Sequence, residues 1–465
     1  MMLPRMVTRV SMAIVCLLSA GCLVGPNYVK PVLPAPDNFR GATGPSPAAL
    51  ADAKWWEVFA DEQLQALVRT ATTENYDVRI AATRVEQAEA QLGISRSNQY
   101  PTVGLDVQAG GQRTPELGTT EARTAGAAGV RVRAAWELDF WGRYRRANEA
   151  ARARLLASEW GQRAVMSTLV SRVADAYFTL RALDLSLDVA RRTLASRNES
   201  LDLARIREQG GATSMVDVRQ AEQLVYSAAG TIADFERRIE QQENFISVLL
   251  GGFPGAVARG RELTAQPHAP EVPAGLPSSL LERRPDIQAA EQDIIAANAE
   301  IGVARAAYFP SITLTGNGGV QSTALGSLFS GGAVAWTAAA GLAQPLFTAG
   351  RTRSQVAFAE ATRAEAALNY ERTVKEAFLD VSNALVGYRK AQELRAQQEL
   401  VVAAAQDARR LADIRYRGGA TSYLEVLDAE TRLFVGELSL SDARLSELTD
   451  FVEVYRALGG GWQQQ

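Results

Sequence analysis

The sequence predicts an α+β membrane protein whose protomer carries four transmembrane β-strands and long antiparallel α-helices in two tandem repeats. Three observations predict it. Residues 206–222 return 208 positions later at 414–430, where Gly418, Gly419, Ala420, Thr421 and Ser422 repeat Gly210, Gly211, Ala212, Thr213 and Ser214. Each copy holds two runs that alternate apolar and polar residues, and each then enters a proline-free stretch far longer than an average helix. A repeat this long marks two structural halves, not a solenoid of short units.

The opening residues read as a targeting segment. Arg5 and Arg9 precede an apolar run too short to span a bilayer, and Leu18, Ser19, Ala20 and Gly21 lead to Cys22. Residues 1–21 are thus expected to be a lipoprotein signal peptide, with Cys22 the acylated first residue of the mature chain. Leu23 follows, where lipoproteins kept in the inner membrane carry Asp, so the expected address is the outer membrane. Cys16 leaves with the signal and Cys22 is acylated, so no disulfide is expected. Charge is nearly balanced, 49 basic against 52 acidic residues with no basic block, which argues against nucleic acid. The single histidine, His268, lies in a Pro-rich stretch. With no thiol pair and no second imidazole, neither a transition-metal site nor a Ser-His or Cys-His nucleophile is expected, so no catalytic residue, metal or cofactor is assigned.

Residues 23–54 are Pro- and Gly-rich and read as extended. From Trp55 the text turns helical and continues through Leu92, stopping before Tyr100 and Pro101. The period then changes to two. Val103, Leu105 and Val107 alternate with Thr102, Gly104 and Asp106; after a polar loop, Val130 to Phe140 alternate with Arg131, Arg133, Glu137 and Asp139. The second half repeats the pair after Pro310 and from Val334 to Leu342. Each run approaches the roughly 9–11 residues of a tilted transmembrane strand, and Trp136, Phe140, Trp141, Trp336 and Phe347 suit an interfacial girdle.

Helical period resumes at Arg143 and runs to about Glu208, and again from Arg351 to Tyr416. At 1.5 Å per residue each is roughly 100 Å of helix, as one piece or as two stacked end to end. Gly-Gly then supplies a left-handed helix end and Thr or Ser the next N-cap, a sharp reversal. Asp217 and Glu425 stand where a capping box would place an acid, which competes with any role at a channel mouth. The return helices keep seam spacing: Val218, Val225, Ile232, Ile239 and Ile246 recur every seven residues. Four strands cannot close a membrane barrel, since the smallest have about eight. Two protomers would give a filled barrel and three a lumen, and the inward charges favour the wetter solution.

These features resemble the TolC-like outer membrane efflux channels, in their lipoprotein (NodT-type) branch. The resemblance rests on Gly25, Pro26, Tyr28 and Pro31 after the cysteine, the pair Trp55–Trp56, and Arg284, Pro285, Asp286, Ile287, Ala290 and Glu291 at mid-chain. It implies a homotrimer forming a 12-stranded β-barrel continued by a helical periplasmic tunnel. It also implies work as the exit duct of a tripartite pump, fed through a periplasmic adaptor by an inner-membrane transporter, without catalysis or cofactor. On that pattern the segments are the lipid-anchored extended segment 22–60, a first repeat 61–252, an equatorial linker 253–283, a second repeat 284–460 and a tail 461–465. The resemblance further implies a periplasmic gate of Leu424, Asp428, Glu425 and Tyr416. Some relatives lock the turn with an arginine where Thr421 stands here, leaving Arg415 or Arg417 as substitutes. The small residues Gly210, Gly211, Thr213, Gly418, Gly419 and Thr421 form the tips where an adaptor would dock. A lipid-anchored coiled-coil tether without a pore is the competing reading; it explains the helices but not two matched strand pairs.

Overall fold

The computed structural model describes residues 23–34, 36, 38–40, 50–115, 123–267, 274, 277–323 and 325–462. Cys22 and His268 lie outside the described residues. In chain order the elements are α1 (Trp55–Val58), α2 (Glu62–Glu74), α3 (Tyr76–Ser97), β1 (Thr102–Thr114), β2 (Arg123–Leu138), α4 (Arg143–Gln209), α5 (Met215–Leu249), α6 (Pro277–Arg283), α7 (Pro285–Ala306), β3 (Ser311–Ser322), β4 (Val334–Ala343), α8 (Arg351–Arg417) and α9 (Tyr423–Ala457). The proline-free stretches are single helices of 67 residues each, and their return helices have 35 each. No described helix is long and apolar enough to cross a membrane.

Two details depart from the sequence reading. The helical text after Trp55 is broken at Asn75, whose own N–H closes α2 on the Ala71 carbonyl. Its side-chain oxygen then accepts from the Asp77 and Val78 amides to begin α3. Strand β2 starts at Arg123, well before Val130, because Gly126 and Gly129 among alanines pair in register with β1 without showing any alternation.

The chain divides into two compact units. The first comprises residues up to Val32, Arg84–Ser158 and Ala289–Tyr370. It contains the sheet, an antiparallel meander in the order β1-β2-β3-β4. Asp106 stands opposite Arg131 and its carboxylate accepts from Arg133 Nε at 2.9 Å, so the charged face of the strands is internally paired. Val103, Leu105, Val107, Trp336 and Leu342 are all exposed. Trp141 stacks on Phe309 with ring centroids 4.6 Å apart. The N-terminal residues lie across this unit. Arg146, 2% exposed, donates to the carbonyls of Val24 and Gly25 and to Asn27 Oδ1, and Lys30 pairs with Glu291 at 2.7 Å. Gly25 has φ +101° and sits so close to Gly302 that a Cβ would come within 2.5 Å of the Gly302 Cα.

The second unit comprises Leu33–Thr83, Glu159–Gln288 and Glu371–Gln465. Its core gathers Trp55, Phe59, Leu64, Val68, Val173, Tyr177, Ile246 and Val452, the predicted helix faces among them. At its centre Asp61, 1% exposed, caps α2 through the Gln63 and Leu64 amides. It also accepts from Tyr177 Oη at 2.8 Å on α4, and from the Arg261 amide and Gln266 Nε2 at 2.9 Å each. Burial alone would raise the Asp61 carboxyl, but the donors Gln266, Tyr177 and Arg261 outweigh it and hold the group below its ordinary value. The stability this contributes is present above the unfolded carboxylate value of about 3.9 and is lost as pH falls through the lower folded one. Asp61→Asn should therefore lower stability by roughly 3 kcal/mol at neutral pH. Thermal melts followed by circular dichroism should show the gap to wild type closing as the pH is taken below the unfolded carboxylate value.

Candidate functional site

The two reversals are built alike. At the end of α4 the Gly211 amide donates to the Glu208 carbonyl at 2.9 Å and Ala212 to Arg207 at 2.8 Å; at the end of α8, Gly419 donates to Tyr416 at 3.0 Å and Ala420 to Arg415 at 2.8 Å. This paired closure needs a left-handed residue, and Gly211 and Gly419 supply it at φ +71° and +73°. Nothing lies within 4 Å of a Cβ added to either, so the tips are open and only the backbone demands glycine.

Beyond the glycines the copies diverge. In the first, Thr213 donates to Asp217, and Asp217 accepts from the Ser214 amide at 3.4 Å, a capping arrangement. In the second, Thr421 donates to Glu425, and Glu425 turns back to Arg415 on α8 at 3.1 Å. Thr421 is thus bonded to the acid, and Arg415 supplies the cation that faces it. Arg417 pairs instead with Asp413 at 2.9 Å.

The sequence groups Leu424, Asp428, Glu425 and Tyr416, and the fold separates them. Leu424 and Asp428, one turn apart on α9, are both exposed, and Asp428 pairs with Arg432 at 2.7 Å along the same helix. Tyr416 is buried: the Arg207 guanidinium lies 4.3 Å from its ring centroid and donates to its carbonyl at 2.9 Å, while Tyr423 packs against it at 5.2 Å.

Behind Tyr416 lies a polar cluster that sequence reasoning missed. Glu430, 5% exposed on α9, accepts from Ser200 on α4 at 3.0 Å and faces Arg409 on α8 at 3.6 Å. Arg409 donates to Ser196 at 2.6 Å, and Arg197 to the Leu224 carbonyl at 2.9 Å. Burial pushes the Glu430 carboxyl up, with Ser200 and Arg409 opposing. A cavity of about 370 Å³ opens beside Ser196, Ser200, Arg409, Tyr416 and Tyr423. Apolar spacing gave no signal for it, because Glu430 lies beside the run through Leu427, Phe434 and Leu438 and not on it. No group of acids, histidines and cysteines suited to a metal ion occurs among the described residues.

The family model described as outer membrane efflux protein matches residues 67–252 and 276–460. The chain is 39% identical to the probable efflux pump outer membrane protein TtgC of Pseudomonas putida, over 98% of this chain and 96% of that one. It is 34% identical to the cation efflux system protein CusC of Escherichia coli, over 97% and 98%. Its fold is similar to that of the outer-membrane channel OprN, with TM-score 0.89 and 30% identity over 95% of this chain and 100% of that one. The open-state outer membrane channel MtrE of Neisseria gonorrhoeae matches with TM-score 0.86 and 33% identity over 95% and 99%.

At the tips, Gly419→Val forces a β-branched residue into the left-handed region. It should cost roughly 1–2 kcal/mol, and Gly419→Asn distinctly less, in denaturant titrations of the helical region.

Proposed function

The chain belongs to the outer membrane efflux protein family, and from that premise we propose that three copies assemble into the exit duct of a tripartite pump. It is an outer-membrane efflux channel. In the proposed assembly three four-stranded sheets join edge to edge as a 12-stranded barrel, continued by the long helices as a periplasmic tunnel. The observation that carries this reading is the sheet itself, with β1 and β4 at its edges and exposed apolar rows on Val103, Leu105, Val107 and Leu342. In hydrocarbon such edges must be paired, and within one four-stranded meander they are not. A tether would have no use for this sheet. Cys22 is the proposed lipid attachment, residues 61–252 and 284–460 the two repeats, and 253–283 the linker between them.

Solute would arrive through an adaptor from an inner-membrane transporter, meeting the tips at Gly210, Gly211, Thr213, Gly418, Gly419 and Thr421. The open space around Gly211 and Gly419 supports close approach of a partner helix. Replacing either by Trp should abolish export with trimer yield unchanged; export that survives both changes rules out docking at the tips.

The gate is proposed at the second reversal. Leu424 and Asp428 present an exposed apolar and an exposed acidic group on one face of α9, Glu425 and Arg415 tie the turn to α8, and Tyr416 braces it from behind. In a trimer three Asp428 carboxylates would ring the mouth and draw cations, with Arg432 offsetting part of the charge. Reconstituted wild type should carry single-channel current that favours cations in a salt gradient. Asp428→Asn should lower that preference, and Leu424→Ala with Asp428→Ala should raise resting conductance. Absence of current and of heat-modifiable gel migration in the wild type would remove the channel reading altogether.

A further inference from the structure

The pairing on the charged face of the sheet is incomplete. Three side chains share one level of that face, Asp106 on β1 with Arg131 and Arg133 on β2, and Asp106 stands directly opposite Arg131. The carboxylate nevertheless goes to the diagonal neighbour. Arg133 donates Nε to Oδ2 at 2.9 Å and Nη2 to Oδ1 at 2.5 Å, the two-pronged geometry in which a guanidinium holds both oxygens at once. Arg131 forms no hydrogen bond or ion pair among the described residues.

The other side of Arg131 offers no replacement. Its partner position on β3 is Gly319, and beyond that stands Ala335 on β4. A Cβ added at Gly319 would collide with the Val130 carbonyl and the Arg131 Cα, so the close approach of the strands keeps this position a glycine and bars an acid from it. Toward the helices, Glu137 pairs with Arg143 and Asp139 with Arg145, each at 3.3 Å, and those charges cancel. At the level of Arg131, two guanidiniums against one carboxylate leave one positive charge per chain.

In the barrel proposed above the exposed apolar rows meet lipid and this face lines the lumen, so three chains set three such charges at one height of the pore. An arginine keeps its charge at any working pH. Its field reaches about 10 Å in 0.1 M salt, far enough to bias ions that pass without touching the wall.

We propose that Arg131 is a specificity-determining residue of the duct: three copies form a cationic ring that makes the barrel favour anionic over cationic solutes, opposite in sign to the acidic mouth at Asp428. Of two filters in series the narrower governs the current, so the ring sets selectivity once the mouth is wide. The proposal rests on the channel reading above.

The test uses the full-length protein with Leu424→Ala and Asp428→Ala, which widen and neutralise the mouth, and reads reversal potential in planar bilayers across a potassium chloride gradient near about 0.1 M. These channels should pass chloride over potassium by about twofold or more. Adding Arg131→Gln should abolish the preference and Arg131→Lys should keep it. Asp106→Asn, which frees Arg133 as a second positive charge, should enlarge it. Raising the salt to about 1 M, where the screening length falls to about 3 Å, should erase it. The same substitutions in wild type should move the reversal potential in the same order by smaller steps, which reads the effect if the open-mouth background does not assemble. Open-mouth channels that prefer potassium, or a chloride preference that Arg131→Gln leaves unchanged, overturn the proposal. Wild type without current would instead sink the channel reading on which it stands.

Discussion

Backbone polar groups cannot be left unpaired in hydrocarbon, and a four-stranded meander leaves two rows of them. This constraint shapes the rest of the chain. It accounts for exposed valines and leucines on β1 and β4 beside charged residues, Asp106 and Arg133, that pair with one another on the other face. It explains why a duplicated chain carries strands in matched pairs: each copy adds one hairpin, and the sheet grows without altering the helices that follow.

Most of the architecture was legible because it is periodic. Arg143 and Arg351 mark real helix starts, and the strand pairs sit where the period changes to two. What stayed hidden was aperiodic. Asn75 serves two helices at once, ending one through its backbone and starting the next through its side chain, and no window average registers that. Residues 126–129, Gly, Ala, Ala and Gly, pair in the sheet and give no alternation to see. Asp61 is one acid among 52 acidic residues, and of its five donors three come from two distant segments, Tyr177 on one and Arg261 and Gln266 on the other.

The candidate site was legible in part for the same reason. The glycines of the reversals announce a left-handed backbone, and both adopt it. Side chains whose role depends on which way a helix faces were harder. Tyr416 is only three residues before Gly419, yet it packs inward beneath Arg207, whereas Leu424 and Asp428 face out. Glu430 and Glu447 are buried beside Ala429 and Leu448 on α9, so a reading that collects the apolar members passes over the acids next to them. Duplication offers a remedy: comparing a chain with itself exposes positions where identical backbones carry unlike chemistry.

The N-terminal strap has a mechanical consequence. Arg146 grips the carbonyl oxygens of Val24 and Gly25 and the side-chain oxygen of Asn27, and Gly25 is pressed against Gly302 with no room for a side chain. Only Leu23 separates this clamp from Cys22. One residue of chain spans at most about 3.6 Å, so a lipid on that cysteine would have almost no slack. It would behave less like a leash than like a rivet, fixing the depth at which the first unit meets the bilayer. Each residue inserted after Cys22 would lengthen that attachment by a known increment, turning anchor length into a ruler for the distance between the strap and the lipid.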